Sequence, residues 1–272
     1  MTEQPLDLWE GSHSIGKPIE LPMRDILGVN VADLTLDDAL NFAHGRLVLK
    51  LFTPITFLNA HNGNIAHRNG KFAKALAGFQ VFPDGVGVDI AASILYGSKF
   101  KDNLNGTDFI PALLRSSPHP LKIALYGARP GIAKKAADAF ANIDNRHVYR
   151  VAGHGFIGQV KQNAMLEKLL KWRPDVILVA KGVPAQEFWI ENNLTEQHCT
   201  LAFGVGALFD FSAGNVSRAP AWMRTMRIEW IFRLAQEPGR MWRRYILGNP
   251  LFLMRVVKQK MGWSPRSSKF HD

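Results

Sequence analysis

Strand-like and helix-like runs alternate along most of this 272-residue chain, and that alternation restricts its possible folds more than any other feature. The strand signals are short and apolar: Ile26–Val31 (a strand or hairpin arm), Ile55–Asn59, Val81–Phe82, Lys122–Tyr126, Val148–Val151, Val176–Ala180 and Thr200–Phe203. Between them, residue patterning predicts helices from Thr35 to about Leu47, over 63–78, near 87–96, from Thr107 to Leu114, up to about Phe140, over 159–172 and from Pro184 to about Leu194. Thr35 with Asp38 three residues on is a capping-box pattern, and Pro184 suits a first helical turn. Strand, crossover helix and next strand form a right-handed parallel unit. The expected fold is therefore α/β: a Rossmann-like parallel sheet with helices on both faces, plus a C-terminal helical appendage.

Charge is distributed unevenly over this pattern. Residues 217–272 carry twelve Lys/Arg against three acids, +9 of the +10 of the whole chain, together with Trp222, Trp230, Trp242 and Trp263. Strand signals stop near Arg218. Helical stretches are expected over 220–236, about 240–247 and 251–261, interrupted at Pro238-Gly239 and at Asn249-Pro250. These changes divide the chain into a flexible leader (1–20), an α/β body (21–217) and a basic, Trp-rich appendage (218–272). A basic, Trp-rich end on a near-neutral body points to a polyanionic partner, an anionic membrane surface or a phosphate-rich molecule; a solvated helical face is the plainer alternative.

The opening residues lack the layout of a secretion signal, and no run reaches the roughly 18–20 apolar residues that span a bilayer. The expectation is a cytoplasmic protein, peripheral on the inner membrane face. Cys199 is the single cysteine, which excludes an intramolecular disulfide and reads as a buried, inert strand residue.

In open α/β sheets ligands bind at the carboxyl ends of strands. Gly127-Ala-Arg-Pro-Gly131 and Gly204-Val-Gly206 lie at such ends; each serves either a tight turn or a phosphate. Asp84, between Pro83 and Gly85, could accept a proton from an attacking hydroxyl, or could be a turn or helix-cap residue. Asn59-Ala-His61-Asn62 is a further polar cluster. His61 and His67 lack accompanying carboxylates or cysteines, and the chain contains no Asp-x-Asp, so the site is expected to work without a metal. Gly-x-Ser-x-Gly, Walker-type and zinc-protease patterns are absent from the sequence.

Several of these segments, in order, resemble the WecG/TagA/CpsF family of bacterial glycosyltransferases. The blocks are Phe82-Pro-Asp-Gly-Val-Gly-Val88, Asn105-Gly-Thr-Asp108, Tyr126-Gly-Ala-Arg-Pro-Gly131, Pro184-Ala-Gln-Glu-Phe-Trp-Ile190, the run from Gly204 to Gly214, Arg218-Ala-Pro220, Glu229-Trp-Ile-Phe-Arg-Leu234 and the run from Glu237 to Tyr245. The resemblance implies an inverting, metal-independent transfer from a UDP-sugar to a polyprenyl-diphosphate-linked saccharide, in cell-surface polysaccharide synthesis and with no cofactor. It places Asp84 as general base and Asn59, Asn105, Thr107, Asp108, Gly127, Arg129, Gln186 and Gly206 around the substrates. Arg233, Arg240 and Arg243 would hold the diphosphate of the leaving group.

The chain departs from the family pattern in three places. Phe57 stands where Thr is usual, with Thr56 displaced by one; Asn103-Leu-Asn-Gly106 replaces Arg-Val-x-Gly; and Lys181 and Ala185 change the residues around Gly182-Val-Pro184. These leave the donor sugar open.

Two rival classes fit less well. A nucleic-acid module would need a continuous basic face, whereas the tail mixes Arg with Trp, Met, Leu and Phe. An NAD-dependent oxidoreductase would need Gly-x-Gly-x-x-Gly and an acid ending the next strand, where Arg150-Val-Ala-Gly153 stands instead. A homo-oligomer remains open.

Overall fold

A computed structural model describes residues 21–220, 222–223 and 229–262; the expected leader and Trp263 lie outside these. The hairpin is β1 (Met23–Ile26) and β2 (Val29–Ala32), antiparallel and joined by Leu27-Gly28, both at positive φ, as a two-residue turn requires. Six strands form the main sheet: β3 (Thr53–Leu58), β4 (Gln80–Pro83), β5 (Lys122–Gly127), β6 (Val148–Gly153), β7 (Val176–Ala180) and β8 (Leu201–Gly204). Their order is β4-β3-β8-β7-β5-β6, and every pairing is parallel. The expected α/β class is the observed one. Cys199 is buried, just ahead of β8 rather than within it.

The crossover helices are α1 (Leu36–Leu49), α2 (Ala60–Arg68), α3 (Gly70–Leu76), α4 (Val86–Tyr96), α5 (Gly106–Ser116), α6 (Ile132–Ala141), α7 (Gln159–Trp172), α8 (Ala185–Asn193) and α9 (Leu208–Ser212). Thr35 and Asp38 form the expected capping box of α1. The single helix expected over 63–78 is two. Asn69 leaves the helical conformation and its side chain accepts from the Phe72 N–H, ending α2 and capping α3. Alternate residues of each strand feed opposite cores. Ile123 and Leu125 face Phe109, Phe140 and Phe209, while Ala124 and Tyr126 face the side holding Phe72, Leu169 and Ile190.

The tail departs most from the sequence reading. The expected break near Pro238-Gly239 falls at Glu237: α10 (Glu229–Gln236) ends before it and Pro238 starts α11 (Pro238–Trp242), where its missing N–H suits the first turn. The chain continues through a π turn over Arg243–Leu247 into α12 (Gly248–Lys260), with Pro250 inside the first turn of α12. Pro250 has no N–H to bond the preceding turn, and that turn is the one that widens.

The last helix of this C-terminal helical segment packs on the body. It lies on α2 and α4, with Phe252 and Val256 completely buried in the second core. A Cβ on Gly63 would come within 2.7 Å of the Phe252 ring, so glycine is required for this approach. Polar bonds fasten the same helix: Asn64 Nδ2 donates to the Gly248 carbonyl (2.7 Å), Arg255 to Asn64 Oδ1 (2.6 Å) and the Leu27 N–H to Gln259 Oε1 (2.9 Å). The segment beyond residue 218 is set apart by its charge, and its last helix contacts the body through these residues.

This packing predicts that Phe252→Ala destabilises the body by about 3–5 kcal/mol in urea unfolding, the usual cost of emptying a buried aromatic site. Met254→Ala, on the exposed side of the same helix, should change stability by less than about 0.5 kcal/mol. Equal costs for the two would contradict the packing of α12.

Candidate active site

The carboxyl ends of all six main-sheet strands open on one cleft of about 1060 Å³, which α10, α11 and the π turn border on one side. It is lined from β3 by Phe57 and Asn59, from β4 by Asp84, from β5 by Ala128 and Arg129, from β6 by Gly155 and Phe156, from β7 by Lys181 and from β8 by Gly204 and Gly206. A second groove of about 560 Å³ lies at the opposite, amino ends of β3 and β4, lined by residues such as Leu21, Phe42, Thr53 and Gln80.

Asp84 sits where β4 ends. Its N–H bonds the Leu58 carbonyl (2.8 Å), which extends the β3–β4 ladder by one step. It is not the cap of α4, because Gly85 holds that position at φ 89°. Its Oδ2 accepts from Asn59 Nδ2 at 3.1 Å. Asn59 also caps α2 by accepting from the Asn62 N–H at 3.1 Å, so a helix start fixes the amide that holds the carboxylate.

Burial raises the proton affinity of Asp84 above the ordinary carboxylate range. The Asn59 hydrogen bond and the charges of Arg244 and Arg233 pull it down, and Asp108 adds to the rise. Glu229 on α10 is raised by burial too, with Arg218, Asp108, Asp84 and Arg233 in its field. His61, beside Asn59, is lowered to about 4 by burial and by Arg244 and Arg68, which leaves it neutral at pH 7.

Among the residues expected from the sequence, Asn59, Asp84, Thr107, Arg129, Gln186, Gly206 and Arg233 all line the cleft. Four others do not. Asn105 caps α5, accepting from the Asp108 N–H and donating to Asp108 Oδ2 at 2.8 Å, and Asp108 in turn accepts from Arg218 at 2.8 Å. Gly127 stands at φ 121°, and a Cβ there would collide with the Ala180 carbonyl; close approach of β5 to β7 accounts for this glycine. Arg243 is exposed and stacks on Trp242, 5.4 Å from its ring centroid. The Arg240 side chain lies outside the described residues.

Of the lining residues not singled out from the sequence, four bear on the chemistry of the cleft. Arg244 takes the cleft-facing position beside Arg243. Lys181 donates to Tyr126 Oη and to the Gly155 carbonyl, both at 3.2 Å, and so ties the ends of β5, β6 and β7 together. Phe156 is 73% exposed at the cleft wall, and Asp210 projects from α9. The change to Lys181 within a family block is a signal for that residue, and Arg244 and Asp210 also lie inside blocks that resemble the family, whereas Phe156 carries no such signal. Among the described residues, no three His, Cys, Asp or Glu side chains converge as metal ligands would.

A carboxylate opposed by arginines, in a crevice at the carboxyl edge of a parallel sheet, equips an enzyme for group transfer: a base for the incoming hydroxyl and cations for an anionic leaving group. Residues 24–266 match the glycosyl transferase WecG/TagA/CpsF family, and the chain belongs to that family as a glycosyltransferase. It is 32% identical over 200 residues to the N-acetylglucosaminyldiphosphoundecaprenol N-acetyl-beta-D-mannosaminyltransferase of Bacillus subtilis (strain 168), covering 70% of this chain and 74% of the relative. Enzymes of the same name from Bacillus spizizenii (30% identity; 76% of this chain, 79% of the relative) and Staphylococcus aureus strain MW2 (28%; 66% and 69%) are also similar.

The raised affinity of Asp84 has a consequence for stability. Between the ordinary value of 3.8 and the folded-state value the native chain binds more protons than the unfolded one, so stability falls as pH rises through that window. Asp84→Asn removes the penalty and keeps an acceptor for Asn59. Its Tm should exceed that of the wild type at pH 7, with the gap closing as pH falls towards 3.8. A variant that melts lower at pH 7 would mean the carboxylate is a structural asset.

Proposed function

We propose that this enzyme transfers N-acetylmannosamine, with inversion, from its UDP derivative to N-acetylglucosamine linked to undecaprenyl diphosphate. The observation that supports it most is Asp84, held by Asn59 in the cleft and faced by Arg233 and Arg244. The choice of sugars rests on the names of the three relatives described above. The acceptor hydroxyl attacks the anomeric carbon as the bond from that carbon to the UDP oxygen breaks, and Asp84 takes the hydroxyl proton. A carboxyl with raised proton affinity is the better base. Arg233 and Arg244 neutralise the charge that develops on UDP, the role a divalent cation plays elsewhere, so the reaction is proposed to need no metal. Arg129, Thr107, Gln186 and Gly206 border the donor, and the exposed Phe156 ring offers a stacking face for uracil.

The tail is proposed to hold the enzyme at an anionic membrane surface. Trp242, Ile246, Leu247, Met254, Val257 and Met261 are exposed along α11, the π turn and α12, in the same segment as Arg243, Lys258 and Lys260. Among the described residues no helix is long and apolar enough to cross a membrane. An interfacial contact needs only such exposed apolar groups with cations beside them.

Two experiments test this reading. With UDP-N-acetylmannosamine and a short-chain lipid-diphosphate-linked N-acetylglucosamine in excess EDTA, the wild type should release UDP, and Asp84→Asn should lower kcat by about 10²–10⁴. Retention of more than about a tenth of kcat would remove Asp84 from the chemistry. In co-sedimentation with phosphatidylglycerol-containing vesicles, Arg243→Gln should weaken binding about fivefold, the equivalent of roughly 1 kcal/mol per surface cation, and Trp242→Ala should weaken it further. Unchanged sedimentation of both variants would assign the exposed apolar side chains to some other contact.

A further inference from the structure

Beneath the cleft a carboxyl group is buried that the chemistry above does not use. Glu187 on α8 is completely inaccessible, and Thr56 and Gln186 beside it are each 2% exposed. Glu187 Oε1 accepts from Thr56 Oγ1 (2.8 Å) and from Gln186 Nε2 (2.9 Å). With Nε2 so engaged, the Gln186 amide turns Oε1 to the Gly206 N–H at 2.9 Å. The amide lies close against Gly204: a Cβ there would come within 2.9 Å of Gln186 Nε2. Gly206 takes φ 56° in the turn from β8 to α9, the turn that gives the cleft Val205, Gly206 and Ala207.

We propose that Glu187 is a positioning residue, whose Oε1 fixes the orientation of the Gln186 amide and thereby the Gly206 turn that borders the donor site. An amide has one accepting and one donating end, of nearly equal size. Without an acceptor at Glu187 only the Gly206 N–H still favours the observed orientation, and the Nε2 side of the amide is left without its buried acceptor. Glu187 Oε2 has no hydrogen-bond partner among the described residues, and burial raises the proton affinity of this carboxyl. Glu187→Gln keeps one accepting oxygen in the place of Oε1.

The inference rests on the transferase reading only for its activity arm, so the experiment on the full-length chain has two arms. Amide hydrogen exchange of Gly206 needs no ligand. It should stay within about threefold of wild type in Glu187→Gln and quicken at least about tenfold in Glu187→Leu, which fills the space without an acceptor. Glu187→Asp, shorter by one methylene, should quicken it in the same direction and carries the test if the leucine variant does not fold. Unchanged Gly206 exchange in the acceptor-deficient variants would overturn the proposal.

The second arm measures UDP binding. Affinity should fall about tenfold in Glu187→Leu, hold in Glu187→Gln, and show no further loss when Glu187→Leu is added to Gln186→Ala. Additive losses would mean that Glu187 acts otherwise than through Gln186. A wild-type chain that neither binds UDP nor transfers sugar would sink the transferase reading while leaving the exchange result to decide on Glu187.

Discussion

The parallel ladders on both sides of β8 are the interaction on which the rest of the architecture depends. β8 is the last strand in sequence, yet it lies between β3 and β7, pairing Leu201–Phe203 with Thr53–Ile55 on one side and Leu201–Gly204 with Val176–Val179 on the other. Without it the sheet would be two parts, β4-β3 and β7-β5-β6, with separate carboxyl edges. With it, the polar ends of β3 and β4 face the glycine-rich ends of β5, β6 and β7 across one crevice. The turn that leaves β8 lies in the middle of that crevice, which is why the conformation of Gly206 matters and why a buried hydrogen-bond network beneath it is worth its desolvation cost.

Within the crevice the charges are in tension. Asp108 raises the proton affinity of Asp84, Asp108 and Asp84 raise that of Glu229, and Arg218, Arg233 and Arg244 offset part of these rises. A carboxyl that pairs too well becomes a weak base, and one that is buried without cations becomes neutral at working pH. At Asp84 burial and Asp108 act in one direction, and Asn59 as direct hydrogen-bond donor and the arginines through space act in the other. His61, kept neutral by burial and further by Arg244 and Arg68, adds no charge to the balance.

The tail joins two tasks that its sequence presents as one. Phe252 and Val256 hold α12 in the core, whereas Arg233 and Arg244 face the cleft and Trp242, Arg243, Ile246 and Leu247 face outward. A helix rotates about 100° per residue, so adjacent arginines point in different directions, and a π turn shifts that phase again. Anchoring α12 in the body fixes where the cleft-facing arginines can stand.

The sequence by itself determined the α/β class, nearly every crossover helix, the capping box of α1 and the loops that carry Asn59, Asp84, Gln186 and Gly206. All of these are local: periodicity, capping and turn chemistry depend on residues within a few positions of one another. It also marked Gly127 as either steric or phosphate-binding, and the neighbouring Ala180 carbonyl, some fifty residues away in sequence, supplies the steric reason. Tertiary structure alone decided what depends on distant partners. It put β8 in the middle of the sheet, Arg244 rather than Arg243 at the cleft, and Asn105 and Asp108 in a cap. It also seated the last helix on the body: Phe252 and Gly63, nearly two hundred residues apart, meet only when the chain is folded, and no local pattern encodes that contact.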